Sequence, residues 1–246
     1  GGTLAYGQAQ WWQDGLSGQF STVREGWFGQ GTNYGGADKL GHAMFAYAGT
    51  RLLARGLEWA GNDRDTALRL GVVTAVGTLV GVEVIDGFSR QWRFSREDVM
   101  ADLLGGALGY LFETHPRLDA LLDLRLQYSP SRGPGRERRF DPFGDYSGQR
   151  YLLVLKGSGV PAFREHPLLR YLELNVGYGT RNFEEESRPF VQPTRHAYVG
   201  ISLNLTEVLR GTAFRGNASP SRTQRMAEAA LEFIQVPPAT VQGDHV

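Results

Sequence analysis

Leu70-Gly71-Val72-Val73-Thr74-Ala75-Val76-Gly77-Thr78-Leu79-Val80-Gly81-Val82 carries no charge on any face of a helix. A helix that is apolar all round is buried in protein or in lipid. The run therefore predicts the centre of a helical bundle, inside a helix over Asp63–Val84. It spans 13 residues, whereas a full bilayer crossing takes about 20. That length argues against a conventional transmembrane helix and leaves a bundle that dips part-way into a bilayer as the alternative. Upstream, Asp38–Trp59 reads as a helix with Leu40, Phe45, Leu52 and Leu53 among its apolar positions and Gly61-Asn62 as its stop. Downstream, a third helix starts near Arg96 and runs to about Leu111. Ser95 suits its N-cap, Asp98 stands at the capping-box position and Phe94 can staple to Val99. A shorter amphipathic helix, Arg117–Leu126, is expected after Pro116. The pairs Gly77/Gly81 and Gly105/Gly109 place small residues one turn apart, which predicts close helix contacts at all four.

Beyond the helices the period changes. Residues 129–149 are rich in Pro, Gly, Ser and Arg and read as a linker. Tyr151–Leu155 is a short apolar run. Leu168–Thr180 and Ala197–Leu205 alternate, with Leu172, Leu174, Val176 and Tyr178 opposite Glu173, Asn175, Gly177 and Gly179. Such alternation suits an outer-membrane strand or a half-buried antiparallel sheet. Arg181–Thr194 should be an exposed loop between two antiparallel neighbours. Three strands, with two more candidates in residues 3–28, are too few to close a barrel, which needs at least about eight. A last helix is expected from Ser219-Pro220-Ser221, with Pro237-Pro238 as its stop. The expected fold class is α+β: a compact bundle of three to four helices followed by an antiparallel β-sheet of membrane-barrel-like strands. The expected organisation is an aromatic, Gly-rich arm (1–35), a helical bundle (36–126), a linker (127–149), antiparallel strands (150–210) and a C-terminal helix and tail (211–246).

Composition narrows the function classes. The chain of 246 residues has 26 basic and 26 acidic side chains. A balanced charge argues against a nucleic-acid partner bound through bulk charge. Cysteine is absent, which excludes a thiol nucleophile and thiolate zinc sites in this sequence. All basic residues but Lys39 and Lys156 are arginine. Gly1 opens no basic, apolar leader.

Ionisable residues gather at the helix boundaries. Asp38 and His42 are four apart and share a helical face, as do Asp98 and Asp102. Glu83 and Asp86 end the most apolar helix. Buried charges are costly without partners. If the faces converge, the carboxylates and the one imidazole form a pocket suited to a divalent metal or to acid–base work by His42. Asp38, His42, Glu83 and Asp98 are the candidate catalytic residues, with His42 expected within reach of Glu83, Asp86 or Asp98. The bland alternatives are a capping-box role for Asp98, a macrodipole role for Asp38, and neutralisation of the acids by Lys39, Arg90, Arg93 or Arg96.

Gly35-Gly36-Ala37-Asp38-Lys39-Leu40-Gly41-His42, Glu83-Val84-Ile85-Asp86-Gly87-Phe88, Phe94-Ser95-Arg96-Glu97-Asp98 and Ala101-Asp102-Leu103-Leu104-Gly105 resemble, in that order, the YfiM-like family of predicted periplasmic lipoproteins. The same order is similar to VanZ-like membrane proteins. The resemblance covers about 36–112. It marks Asp38, Lys39, His42, Glu83, Asp98 and Asp102 as signature positions, with Asp86, Arg93 and Arg96 beside them. The family's Asn is Asp102 here, and no cysteine is present for a lipid anchor. The resemblance implies a bacterial protein of the outer membrane or periplasm, with membrane lipid and other envelope proteins as partners in a homo- or hetero-oligomer. The first functional expectation is a structural or scaffolding component held at the outer membrane by its strands. The alternative is a hydrolase or transferase acting on a lipid head group or lipid-linked substrate through the Asp/His/Glu cluster, with Arg90, Arg93 and Arg96 holding the head group.

Overall fold

Three long helices carry the N-terminal half: α1 (Ala37–Trp59), α2 (Arg64–Phe88) and α3 (Arg96–Thr114). In this computed structural model the described residues are 12, 14–29, 32–131, 140–183, 192–215, 219–237 and 240–245. The chain divides into two units, Gly1–Thr114 and His115–Val246.

In the first unit, α1 begins after a tight turn in which Tyr34, Gly35 and Gly36 all have positive φ, of 48°, 61° and 89°. A Cβ at Gly36 would lie 2.3 Å from the Trp27 carbonyl oxygen, so only glycine fits that approach. The turn sets Asp38 and Lys39 in the first turn of α1, both buried. Asp63 starts α2 by accepting the Thr66 N–H at 3.0 Å. Helix α1 packs on both α2 and α3 through glycines. A Cβ at Gly71 would meet the Thr50 carbonyl oxygen at 2.7 Å, one at Gly105 the Ala43 carbonyl oxygen at 2.1 Å, and one at Gly109 the Thr50 Cβ at 2.9 Å.

Gly77 and Gly81 depart from expectation, since a Cβ at either meets nothing within 4 Å. Val73, Gly77, Gly81 and Val84 form one stripe of α2, and both Val73 and Val84 are exposed. By length and composition α2 is long and apolar enough to cross a membrane, and 28% of its apolar window is buried. The 13-residue uncharged run sits within a helix of 25 residues that continues through Glu83, Val84, Ile85 and Asp86 to Phe88. Leu52 and Leu53 of α1 are exposed as well; Met44, Tyr47 and Ala54 fill the core. The described part of the aromatic arm is stitched to the α2–α3 connection. Strand β1 (Thr22–Val23) pairs parallel with β2 (Phe94–Ser95), and Leu16 bridges to Ser89. Trp11 and residues 3–11 lie outside the described residues.

The second unit opens with α4 (Pro116–Leu121) and passes directly into β3 (Leu122–Tyr128). The helix expected over Arg117–Leu126 stops at Leu121 because Leu122-Asp123-Leu124-Arg125-Leu126-Gln127-Tyr128 alternates with a period of two, and its burial alternates in step. The unit continues with β4 (Gln149–Lys156), the single turn α5 (Pro161–Arg164), β5 (Leu172–Arg181), β6 (Thr194–Leu203), α6 (Leu205–Gly211), α7 (Arg222–Phe233) and β7 (Thr240–His245). Ser221, rather than Ser219, caps α7, accepting the Gln224 N–H at 3.1 Å. Residues 184–191 of the loop between β5 and β6, with Glu184-Glu185-Glu186, and residues 132–139 of the 129–149 linker fall outside the described residues.

The expectation of membrane-barrel-like strands is corrected here. The strands form an open, wholly antiparallel sheet in the order β3-β4-β5-β6-β7. Among the described residues its two edges, β3 and β7, do not pair with each other, so the sheet is not closed into a barrel. The expected pairing of the two alternating segments is present, with Val176 opposite Val199.

The faces of this sheet are inverted relative to a soluble one. Asp123, Arg125, Glu173, Asn175 and Ser202 are buried, whereas Leu153, Leu172, Leu174, Val176, Val199, Ile201 and Leu203 are exposed, Val199 at 68%. The buried polar groups satisfy one another. Arg125 donates to both Glu173 oxygens at 2.8 and 2.9 Å and to Gln235 at 3.0 Å, and pairs with Asp123 at 2.5 Å. Lys156 pairs with Asp123 at 2.6 Å, and the Ser202 hydroxyl donates to Glu173 at 3.1 Å.

Candidate functional site

The three helix boundaries of the first unit bring their ionisable residues together. Helix α1 supplies Asp38, Lys39 and His42, the last turns of α2 supply Glu83 and Asp86, and the first turns of α3 supply Asp98 and Asp102. Asp38, Lys39, Glu83, Asp98 and Asp102 are buried.

His42 is bounded on both ring nitrogens. Its Nδ1 lies 2.9 Å from Asp102 Oδ1 and its Nε2 lies 3.5 Å from Glu83 Oε1. Of the expected partners, Glu83 is an ion-pair neighbour of His42 at 3.5 Å, without a hydrogen bond. The shorter contact is to Asp102, which the sequence marked only as a signature position. The other Asp102 oxygen is buried and unpartnered. Glu83 Oε2 accepts the Ser95 N–H at 3.1 Å, while the Ser95 hydroxyl accepts the Asp98 N–H at 3.2 Å. Ser95 is thus the helix cap, as expected, and Glu83 takes the return bond that a capping-box Asp98 would make. The Asp98 carboxylate is left for the cluster.

Lys39 joins the acids on the other side. Its ammonium lies 2.9 Å from Asp38 and 3.0 Å from Asp98, and it also pairs with Glu25. The Asp98 contact is an ion pair outside hydrogen-bond geometry. Glu25 comes from the arm, where no period pointed to it. Trp12, also in the arm, donates its indole N–H to Asp86 at 2.5 Å. Arg90, Arg93 and Arg96 are exposed and, among the described residues, form no ion pair with these acids, so neutralisation falls to Lys39 and His42.

The electrostatics follow from burial and surplus negative charge. Burial pushes the Glu83 carboxyl up to about 8, with Asp98 adding to the rise against the opposing charge of His42. Burial likewise raises Asp38 and Asp86 to about 6, and raises Asp102. For His42 burial alone lowers the pKa, but the Asp102 hydrogen bond and the charges of Asp102, Asp98 and Glu83 more than offset it and hold it at about 10. Lys39 is raised by Asp38 and Asp98 against its own burial.

Two sets of donors have the spacing of metal ligands. In each of the groups His42/Glu83/Asp98 and Glu25/Asp38/Asp98, one ligand atom per residue lies within 4.8 Å of the others. The second group already surrounds the Lys39 ammonium, which serves as its cation. The first shares Asp98 with it, and so touches Lys39 at 3.0 Å, while Glu83 has a proton on His42 as its neighbouring cation. The first group's chemistry, one imidazole nitrogen and carboxylate oxygens, suits a divalent ion such as Mn²⁺ or Zn²⁺.

Comparison with known proteins bears on the same residues. Residues 24–114 match the family model described as a predicted periplasmic lipoprotein, DUF2279. This segment contains every cluster residue from Glu25 to Asp102 and covers the helical unit rather than the sheet. The match supports a location in the bacterial envelope, at the outer membrane or in the periplasm, and agrees with the YfiM-like resemblance. The VanZ-like part of that resemblance finds no support in it. No curated protein and no solved structure matches the chain. The chain is thus similar over residues 24–114 to a family described as predicted periplasmic lipoproteins, and the site's chemistry rests on its own geometry.

Proposed function

We propose that this envelope protein carries in its helical unit a divalent-cation-dependent acid–base centre that hydrolyses or transfers a lipid head group or a lipid-linked envelope substrate. The observation that carries the reading is the imbalance of the cluster: among the described residues, Glu25, Asp38, Glu83, Asp86, Asp98 and Asp102 surround only Lys39 and His42. The buried network of the sheet is a useful contrast. There Asp123 and Glu173 are matched by Arg125 and Lys156, as a purely structural ion network should be. Surplus buried carboxylate favours a bound cation or protons in use.

In this reading Asp102 accepts the Nδ1–H of His42 and fixes the tautomer, so that Nε2 offers its lone pair beside Glu83 and Asp98. A proton on Nε2 and a divalent ion compete for the same place. Three protein ligands leave coordination positions open, as in catalytic rather than structural sites. A bound ion supplies a Lewis acid and lowers the pKa of a coordinated water. Lys39 holds Asp38 and Asp98 in place, and in the metal-free chain Glu83, pushed up to about 8, holds a proton near neutrality that a bound ion would displace. The test replaces His42 with Ala in the producing bacterium and compares envelope lipid and lipid-linked saccharide profiles. A changed profile with normal protein levels is expected. An unchanged profile with a folded variant contradicts the reading.

The inverted sheet favours a second reading, a scaffolding component held at the membrane by the aliphatic face of β4, β5 and β6. Extraction from native membranes should then return an oligomer. A monodisperse monomer in detergent-free buffer contradicts that reading.

A further inference from the structure

A groove of about 770 Å³ lies beside the α2–α3 connection, lined by Ser17, Ser21, Ser89, Arg90, Trp92 and Arg93 among others. We propose that this groove binds a phosphate group, presented as a free phosphate or as the head group of an anionic lipid. The proposal supplies a substrate class for the centre described above. It rests on that reading only for the chemistry that follows binding.

Two features carry it. The first is unspent positive charge. Arg90 and Arg93 are exposed and form no ion pair among the described residues. The exposed Arg210 is by contrast committed to Glu228 at 2.7 Å, while Arg96, on the same connection, is as free of ion pairs among the described residues as Arg90 and Arg93. Two guanidinium groups three residues apart, beside the Ser89 hydroxyl, suit the several oxygens of a phosphate better than one carboxylate; the Ser17 and Ser21 hydroxyls already donate to backbone carbonyls.

The second feature is a prebuilt frame. The Ser17 N–H donates to the Phe88 carbonyl at 2.6 Å, the Ser21 N–H to Gly87 at 2.7 Å and the Phe94 N–H to Ser21 at 3.0 Å. The Ser89 hydroxyl oxygen accepts the N–H groups of Gln91 and Trp92, both at 3.2 Å. These bonds fix both walls, so little ordering remains on binding. The turn that carries the arginines runs between Asp86 and Asp98, and Trp12 ties Asp86 to the same arm. A phosphate held here sits on the segment that joins both acidic ends of the centre.

The test uses the full chain treated with chelator, so that its outcome is independent of metal binding at His42. Binding of inorganic phosphate is followed by calorimetry, and binding of phosphatidylcholine vesicles with and without phosphatidic acid by co-sedimentation. The double variant Arg90→Ala/Arg93→Ala should weaken binding in whichever arm shows it by at least about tenfold, the scale of losing charge-assisted hydrogen bonds. Arg96→Ala, an exposed arginine outside the groove, should leave it unchanged. Phosphate binding without vesicle binding assigns the free anion, and selective binding of phosphatidic acid vesicles assigns the head group. Absence of binding in both arms, or binding that the double variant leaves intact, overturns the proposal.

Discussion

A carboxylate at each ring nitrogen sets the behaviour of His42. Asp102 at 2.9 Å and Glu83 at 3.5 Å both favour the imidazolium, which is why its pKa stands at about 10 despite burial. Because the folded value lies above the unfolded one of about 6.5, the stability it contributes is full below pH 6.5 and is lost as pH rises through about 10. An NMR titration of the chelator-treated protein should show His42 still protonated at pH 8, and Asp102→Asn should bring its midpoint down. A solvent-like midpoint near 6.5 in the unaltered chain contradicts this geometry. Much of the residue-scale picture was legible in the sequence. The i,i+4 spacings put Asp38 with His42 and Asp98 with Asp102, and the helix ends pointed Glu83 and Asp98 at the same place. Asp102 as nearest partner, Glu25 on Lys39 and Trp12 on Asp86 were not. The first depends on how deeply α3 slides along α1, and the other two lie in an arm without periodicity.

At the scale of elements, helix approach is controlled by glycines that the sequence pattern ranks alike and the packing does not. A Cβ at Gly105 would sit 2.1 Å from the Ala43 carbonyl oxygen. Gly105→Leu should therefore destabilise the helical unit by about 1–3 kcal/mol or more through overpacking. Gly77 faces open space in mid-helix, so Gly77→Ala should instead stabilise by about 0.4–1 kcal/mol through helix propensity and a less flexible unfolded chain. Urea unfolding of both variants checks the pair. Equal losses would place Gly77 at a contact and contradict the packing described. The strand pattern was equally legible in period and not in sense. Alternation at Leu172–Tyr178 identifies two faces, but nothing local says that the apolar one stays exposed. That outcome depends on Arg125, Asp123 and Glu173 meeting beneath the sheet across strands distant in sequence. Strand β3 was hidden because its first residues follow Pro116 in an apparently amphipathic stretch, which the alternation from Leu122 onward overrides.

For the whole molecule, formal charge balance conceals a local surplus of acid in the helical unit, and that surplus should govern its response to pH. Asp38 and Asp86 are raised to about 6 and Glu83 to about 8. Carboxyls whose folded values exceed the unfolded ones bind protons more tightly in the fold, so their contribution is lost as pH rises from about 4 to about 8. All five tryptophans, Trp11, Trp12, Trp27, Trp59 and Trp92, belong to the first unit, so tryptophan fluorescence follows that unit alone. Its unfolding temperature in chelator should fall between pH 5 and pH 8, and Mn²⁺ or Zn²⁺ should restore more at pH 8 than at pH 5. A temperature that rises with pH over this range contradicts the account. The most direct test is the metal itself. Calorimetric titration of the chelator-treated chain with Mn²⁺ and with Zn²⁺ at pH 8 should find one ion per chain for at least one metal. His42→Ala and Asp98→Asn should abolish that binding, and Asp102→Asn should weaken it by about 10–100-fold as an orienting partner. Absence of stoichiometric binding by either ion, or an affinity that His42→Ala leaves unchanged, would contradict a cation centre at His42, Glu83 and Asp98.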